Sequence, residues 1–203
     1  MLPFANPMMI GGRPNVDAVY LGFTASGGSP VYTGYDHVIP GDVRPGDLAL
    51  LVGSSTPSGW TYRGALSGSG FNYADRLIAQ ADLEVGLFHI DGNASLVSYF
   101  RGPIKSAFLA GKGSTVSNTT DTVAGIVQNE ADAAYVSYGG ASSQPVAGEG
   151  FSYIGTTYTG GYDPTCAWIP RDSYASGSDV VFNVGYNVAP LWAGIGIIAL
   201  RNF

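Results

Sequence analysis

The chain has 203 residues, enough for one large domain or two small ones, and it combines 45% apolar residues with 12% charged residues and 30 glycines. Globular chains average about 25% charge and about 7% glycine, so this balance excludes disorder and coiled coil and predicts a compact fold rich in tight turns. A net charge of −6 with only two lysines, Lys105 and Lys112, excludes the basic surface that nucleic acid or an anionic membrane requires.

Residues 1–15 carry Pro3, Pro7 and Pro14 around a Met8-Met9-Ile10 cluster. That stretch is too broken for regular structure and is expected to form an irregular N-terminal arm able to dock on a neighbour. It has neither a basic start nor a long apolar run, so it does not read as a secretory signal, and folding in the cytosol that made the chain is expected. The first period-two alternation runs from Val16 to Leu21 and stops at the turn Ser26-Gly27-Gly28-Ser29-Pro30. Runs rich in β-branched and aromatic residues follow at Asp47–Gly53, Trp60–Leu66, Phe71–Ala79, Val85–Ile90, Ser95–Arg101 and Ile104–Leu109. Asp91-Gly92-Asn93 joins two of them, and Asp-Gly suits a tight hairpin turn because both central positions need positive φ.

Helical spacing is weak and confined to Thr122–Ala133. Further strands are expected at Ala134–Tyr138, Phe151–Tyr158, Thr165–Ile169, Asp179–Val184 and Trp192–Arg201, with the polar stretches 111–121 and 141–150 as loops. Many short strands with Gly, Ser and Pro turns predict an all-β fold, an antiparallel β-sandwich of jelly-roll type over residues 16–203, as a single domain. The most apolar stretch, Leu191–Leu200, is half the length of a membrane helix, so no span is expected.

Chemical motifs are sparse. Gly194-Ile195-Gly196-Ile197-Ile198-Ala199 matches a dinucleotide pattern but has no helix to open, so it reads as a terminal core strand. Gly111-Lys112-Gly113 lacks the rest of a phosphate loop. His37 and His89 have no ligand at metal spacing and no G-x-S-x-G elbow accompanies them, so structural or surface roles are expected. Cys166, the lone cysteine, cannot form an internal disulfide and reads as a small core residue beside Ala167 and Trp168. Several aspartates adjoin Gly or Pro, as Asp47, Asp91 and Asp163 do, where turn capping explains them. No catalytic residue, metal site or cofactor is expected. Trp60, after Thr56-Pro57-Ser58-Gly59, is expected in the core.

Four tyrosines fall between Tyr153 and Tyr174 in a Gly-rich setting. Tyr158 and Tyr162 supply flat rings, and Asp163, Arg171 and Asp172 supply groups that bond sugar hydroxyls. These five are the candidate glycan-binding residues.

Gly46-Asp47-Leu48-Ala49-Leu50-Leu51-Val52, Thr56-Pro57-Ser58-Gly59-Trp60-Thr61, Arg76-Leu77-Ile78-Ala79-Gln80-Ala81-Asp82-Leu83 and Ser98-Tyr99-Phe100-Arg101-Gly102 resemble the succession of motifs in small β-sandwich structural proteins of tailed bacteriophages and phage-like particles. Gly194 to Arg201 resembles their closing core strand. The resemblance covers residues 40–102 and 190–201 and implies a virion protein of the tail, a fibre or spike, or the head surface, where it would serve as decoration. It implies no enzyme, other virion proteins as partners, a homo-oligomer with a trimer favoured, and contact with host-surface polysaccharide through outward loops. Nucleic acid and membrane are not expected partners. The alternative reading of the aromatics and Asp-rich loops is a β-sandwich carbohydrate-binding module or carbohydrate-active enzyme.

Overall fold

The computed structural model describes residues 19–27, 34–66, 71–92, 94–102, 104–115, 120–126, 131–140, 145–146, 152–156, 163–170, 179–186 and 193–201. Within them the chain is all-β and antiparallel, with a single short helix. The first sheet is built from β1 (Val19–Gly27), β3 (Leu48–Gly53), β4 (Thr61–Ala65), β5 (Asn72–Leu77) and β7 (Ala94–Arg101), in the order β1-β7-β3-β5-β4. β2 (Tyr35–Val38) and β6 (Leu87–Ile90) pair as a separate ribbon, and α1 (Gln80–Val85) precedes β6. The second five-stranded sheet has the order β12-β13-β10-β15-β8, from β12 (Ser152–Thr156), β13 (Asp163–Pro170), β10 (Ala131–Gly140), β15 (Ala193–Arg201) and β8 (Ser106–Thr115). A three-stranded sheet joins β11 (Pro145–Val146), β14 (Asp179–Tyr186) and β9 (Thr120–Ile126).

β3 explains how the first sheet is held. All six of its residues are buried, which requires an apolar run rather than an alternating one, because both faces are covered. On one face Leu48, Leu50 and Val52 pack with Phe71, Tyr73, Leu96 and Phe100, and with Ala107, Ile198 and Leu200 from β8 and β15 of the second sheet. On the other face Ala49 and Leu51 pack with Trp60, Ile78, Phe88, Ile90, Val97 and Tyr99. The β2–β6 ribbon and the chain around Trp60 thus cover what the second sheet does not.

Two arginine–aspartate ties fasten the edges of this arrangement. Asp47 accepts the Arg44 backbone N–H at 2.8 Å, the turn-capping role expected for it, and also receives Arg101 Nε at 3.1 Å and Nη2 at 2.8 Å. Asp82 reaches back to the Ala79 N–H at 2.8 Å, satisfying one of the free donors at the start of α1, and receives Arg76 Nε at 3.2 Å and Nη2 at 2.5 Å. Gly86 ends the helix at φ 76, a left-handed conformation that favours glycine.

Several expectations need correction. The described residues of Thr122–Ala133 are strand, not helix: β9 takes 122–126 and β10 takes 131–133, and the helix lies at α1 instead. The first strand is described from Val19 to Gly27 and runs through part of the expected turn, while residues 16–18 of the expected run lie outside the described residues. The expected loop 111–121 is entered by β8, which continues to Thr115, and by β9, which starts at Thr120. Asp91-Gly92 does not close a hairpin, since β6 pairs with β2 and β7 pairs with β1 and β3; the turn carries the chain between sheets, with Gly92 at φ 121. The arm expected over residues 1–15 lies outside the described residues. Among the described residues no helix is long and apolar enough to cross a membrane.

Candidate functional site

Of the residues expected to bind glycan, Tyr158, Tyr162, Arg171 and Asp172 lie outside the described residues. Asp163 opens β13, its backbone opposite Gly140 of β10. The structure therefore places one of the five.

An open groove of about 460 Å³ lies at the β4 edge of the first sheet, lined by Gly59, Thr61, Arg63, Asp75, Arg76, Leu77 and Lys105. Thr61 of β4 pairs directly with Asp75 on β5, and the register shifts at Arg63, between Tyr62 and Gly64, where the edge strand is bulged. Lys105 comes from the segment leading into β8. Asp75 is 2% exposed, and its Oδ2 accepts Arg63 Nε at 2.9 Å and the backbone N–H of Ala107 at 2.7 Å. One carboxylate thus holds the edge strand and the second sheet together. Gly59, at φ 83, lies against Arg76 Nη1, where a side chain would collide with the guanidinium. The Arg76 guanidinium also sits 5.6 Å from the centre of the Phe88 ring.

Three of the chain's nine basic residues gather here. Linear spacing hides this, because positions 63, 76 and 105 belong to three different elements. The usable signal was the scarcity of basic residues, which makes any grouping of them unusual.

The two histidines behave in opposite ways. His37 is 1% exposed, with Nδ1 3.1 Å from Thr24 Oγ1 and Nε2 2.7 Å from Ser95 Oγ, so β2 is tied to β1 and β7. Burial lowers its pKa from 6.5, while the Thr24 contact and the Asp36 charge partly oppose this. Tyr99 lies close by; its hydroxyl has the Thr24 side chain as a polar neighbour but no hydrogen bond of good geometry, and burial pushes its pKa up to about 12. Ser95 and His37 have the spacing of a nucleophile and its base, but both are buried and the ring's other nitrogen faces a hydroxyl rather than a carboxylate. The arrangement fits a structural role.

His89 is exposed, with Nδ1 2.7 Å from Asp36 Oδ1 and Nε2 3.5 Å from Asp91 Oδ1. The bond to Asp36, with the charges of both carboxylates, raises its pKa from 6.5. Among the described residues no His, Cys, Asp and Glu side chains group in a way that could hold a metal ion.

The histidines give opposite dependences on pH. The folded state takes up a proton at His37 less readily than the unfolded chain does. Its contribution to stability is therefore complete above pH 6.5 and is lost as pH falls below that value. The raised pKa of His89 contributes stability at low pH, lost as pH rises through its folded value. Because His37 is buried and His89 is exposed, the His37 dependence should dominate. The urea midpoint should fall between about pH 7 and about pH 5.5, and His37→Asn should flatten that change. An unchanged slope in the variant would contradict the assignment.

Comparison of the chain with protein-family models, with curated proteins and with solved structures gave no match in any of the three.

Proposed function

We propose that the chain is a non-enzymatic structural component of a tailed-bacteriophage or phage-like particle. In this reading residues 16–203 form a β-sandwich of jelly-roll type in which the two five-stranded sheets face each other, and residues 1–15 form an anchoring arm. The protein is made and folded in the host cytoplasm and resides in the virion beside other virion proteins, as surface decoration, fibre, spike or tail protein.

The observation that supports this reading is the convergence of the segments carrying the phage resemblance. Asp47 of the first motif binds Arg101 of the Tyr99-Phe100-Arg101 motif, and Asp82 binds Arg76 within the third. Trp60 sits in the core, and Ile198 and Leu200 of the closing strand pack on Leu48 and Leu50. Residues that recur in such a pattern are here framework residues, as a scaffold protein needs.

Exposed apolar side chains favour assembly. Val19, Val38, Tyr62 and Val85 are 54, 63, 56 and 69% exposed on a chain with few charges to keep it apart from its copies. The expected state is a homo-oligomer, a trimer if the protein is a fibre or spike. Light scattering at micromolar concentration should give a mass that is a multiple of about 21 kDa. A monomer alone would contradict assembly. Gold-labelled antibody against the chain should decorate intact particles in electron micrographs, at the head or along the tail. Particles without label, beside labelled soluble protein, would overturn the virion reading.

A further inference from the structure

The groove at the β4 edge combines features that a purely structural surface does not need. Arg63, Arg76 and Lys105 line it in a chain of net charge −6. Arg63 has its Nε held by Asp75, and Arg76 has Nε and Nη2 held by Asp82, so each guanidinium is fixed in place while other N–H groups of its fork are not consumed by those bonds. Lys105 is exposed and forms no ion pair among the described residues. The remaining side chains of the lining are Thr61, Asp75 and Leu77, with no aromatic among them.

Ligand chemistry follows from this lining. Pockets for apolar small molecules are walled mainly by hydrophobic and aromatic groups, and this one is not. A polyanion with a charge at every step, such as a nucleic acid, meets the repulsion of the whole acidic chain. A ligand with few charges separated by many hydroxyls avoids that repulsion and uses both the fixed cations and the acceptors Thr61 and Asp75. We infer that the groove formed by Gly59, Thr61, Arg63, Asp75, Arg76 and Lys105 binds a carboxylate-bearing saccharide. The carboxylate meets Arg63 and Lys105, and the ring hydroxyls donate to Thr61 and to the Asp75 oxygen left free by Arg63 and Ala107. The inference deepens the virion reading by giving the surface contact a substrate class, and it assigns that contact to residues other than Tyr158 and Tyr162.

The test is calorimetric titration of the purified full chain with a galactose oligosaccharide that carries one terminal galacturonate and with the all-galactose oligosaccharide of equal length and linkage. The acidic sugar should bind, weakening with added salt, and the neutral one should bind at least tenfold more weakly. Lys105→Ala, which removes an exposed side chain without an ion pair, should weaken acidic-sugar binding roughly tenfold at unchanged melting temperature, the worth of one charge-assisted hydrogen bond. Tyr158→Ala and Tyr162→Ala should leave it unchanged. Equal binding of the two sugars, no effect of Lys105→Ala, or loss of binding in the tyrosine variants would each overturn the inference. So would inorganic phosphate binding as tightly as the acidic sugar, or single-stranded DNA binding more tightly. Because binding is read on the isolated chain and virion membership on particles, failure of one is distinguishable from failure of the other.

Discussion

Trp60→Ala should lower stability by about 3 to 5 kcal/mol, the cost of removing a large buried aromatic together with the cavity it leaves. Trp60 is 9% exposed and meets the Phe88 ring edge-on, with centroids 5.1 Å apart and planes at 73°. Phe88 belongs to β6, so the indole links the chain before β4 to the ribbon that covers the first sheet. Arg76 rests over the other partner of that pair, and losing the indole therefore loosens one wall of the cationic groove as well. Urea unfolding followed by circular dichroism should show the midpoint moving down with little change in slope. A loss below about 1 kcal/mol would mean that Trp60 does not seal this face.

Asp75→Ala is expected to cost about 3 kcal/mol. The carboxylate is buried, and its removal leaves the Ala107 N–H without its acceptor and Arg63 without its ion-pair partner. The figure lies at the low end for a broken buried pair because the Arg63 side chain is 33% exposed and can turn to water. Asp75→Asn keeps an oxygen of the same size and should lose less than half as much. Equal losses in the two variants would assign the effect to charge alone, and a loss below about 1 kcal/mol in Asp75→Ala would show that the tie between β4, β5 and β8 is not structural.

The strands legible in the sequence were those whose burial shapes their composition. β3 and β7 are apolar-rich runs because they lie inside the fold, with all six residues of Leu48–Gly53 buried and seven in a row from Ala94 to Phe100, and Ile198 and Leu200 of β15 are buried likewise. β2 escaped notice because only one of its four residues is buried, and that residue is His37, whose hydrogen bonds to Thr24 and Ser95 replace apolar contact. α1 was too short for helical periodicity to show, and it is marked instead by Asp82 and Gly86 at its ends. At Asp91-Gly92 the sequence shows a turn and Gly92 takes positive φ, but which strand β6 pairs with is decided by Tyr35–Val38, more than fifty residues earlier. The groove was illegible for a similar reason. Arg63, Arg76 and Lys105 meet through sheet order and through the Asp75 carboxylate, neither of which linear spacing records. The five expected glycan residues came from composition, and composition identifies ring-rich chain without saying which residues face one another.

The virion assignment is tested most directly by mass spectrometry of particles purified on a density gradient from cells that carry the gene. Peptides spanning this chain should band with the particles in several copies each and remain after a high-salt wash. Recovery of the chain only from the soluble lysate, with none in the banded particles, would contradict the assignment.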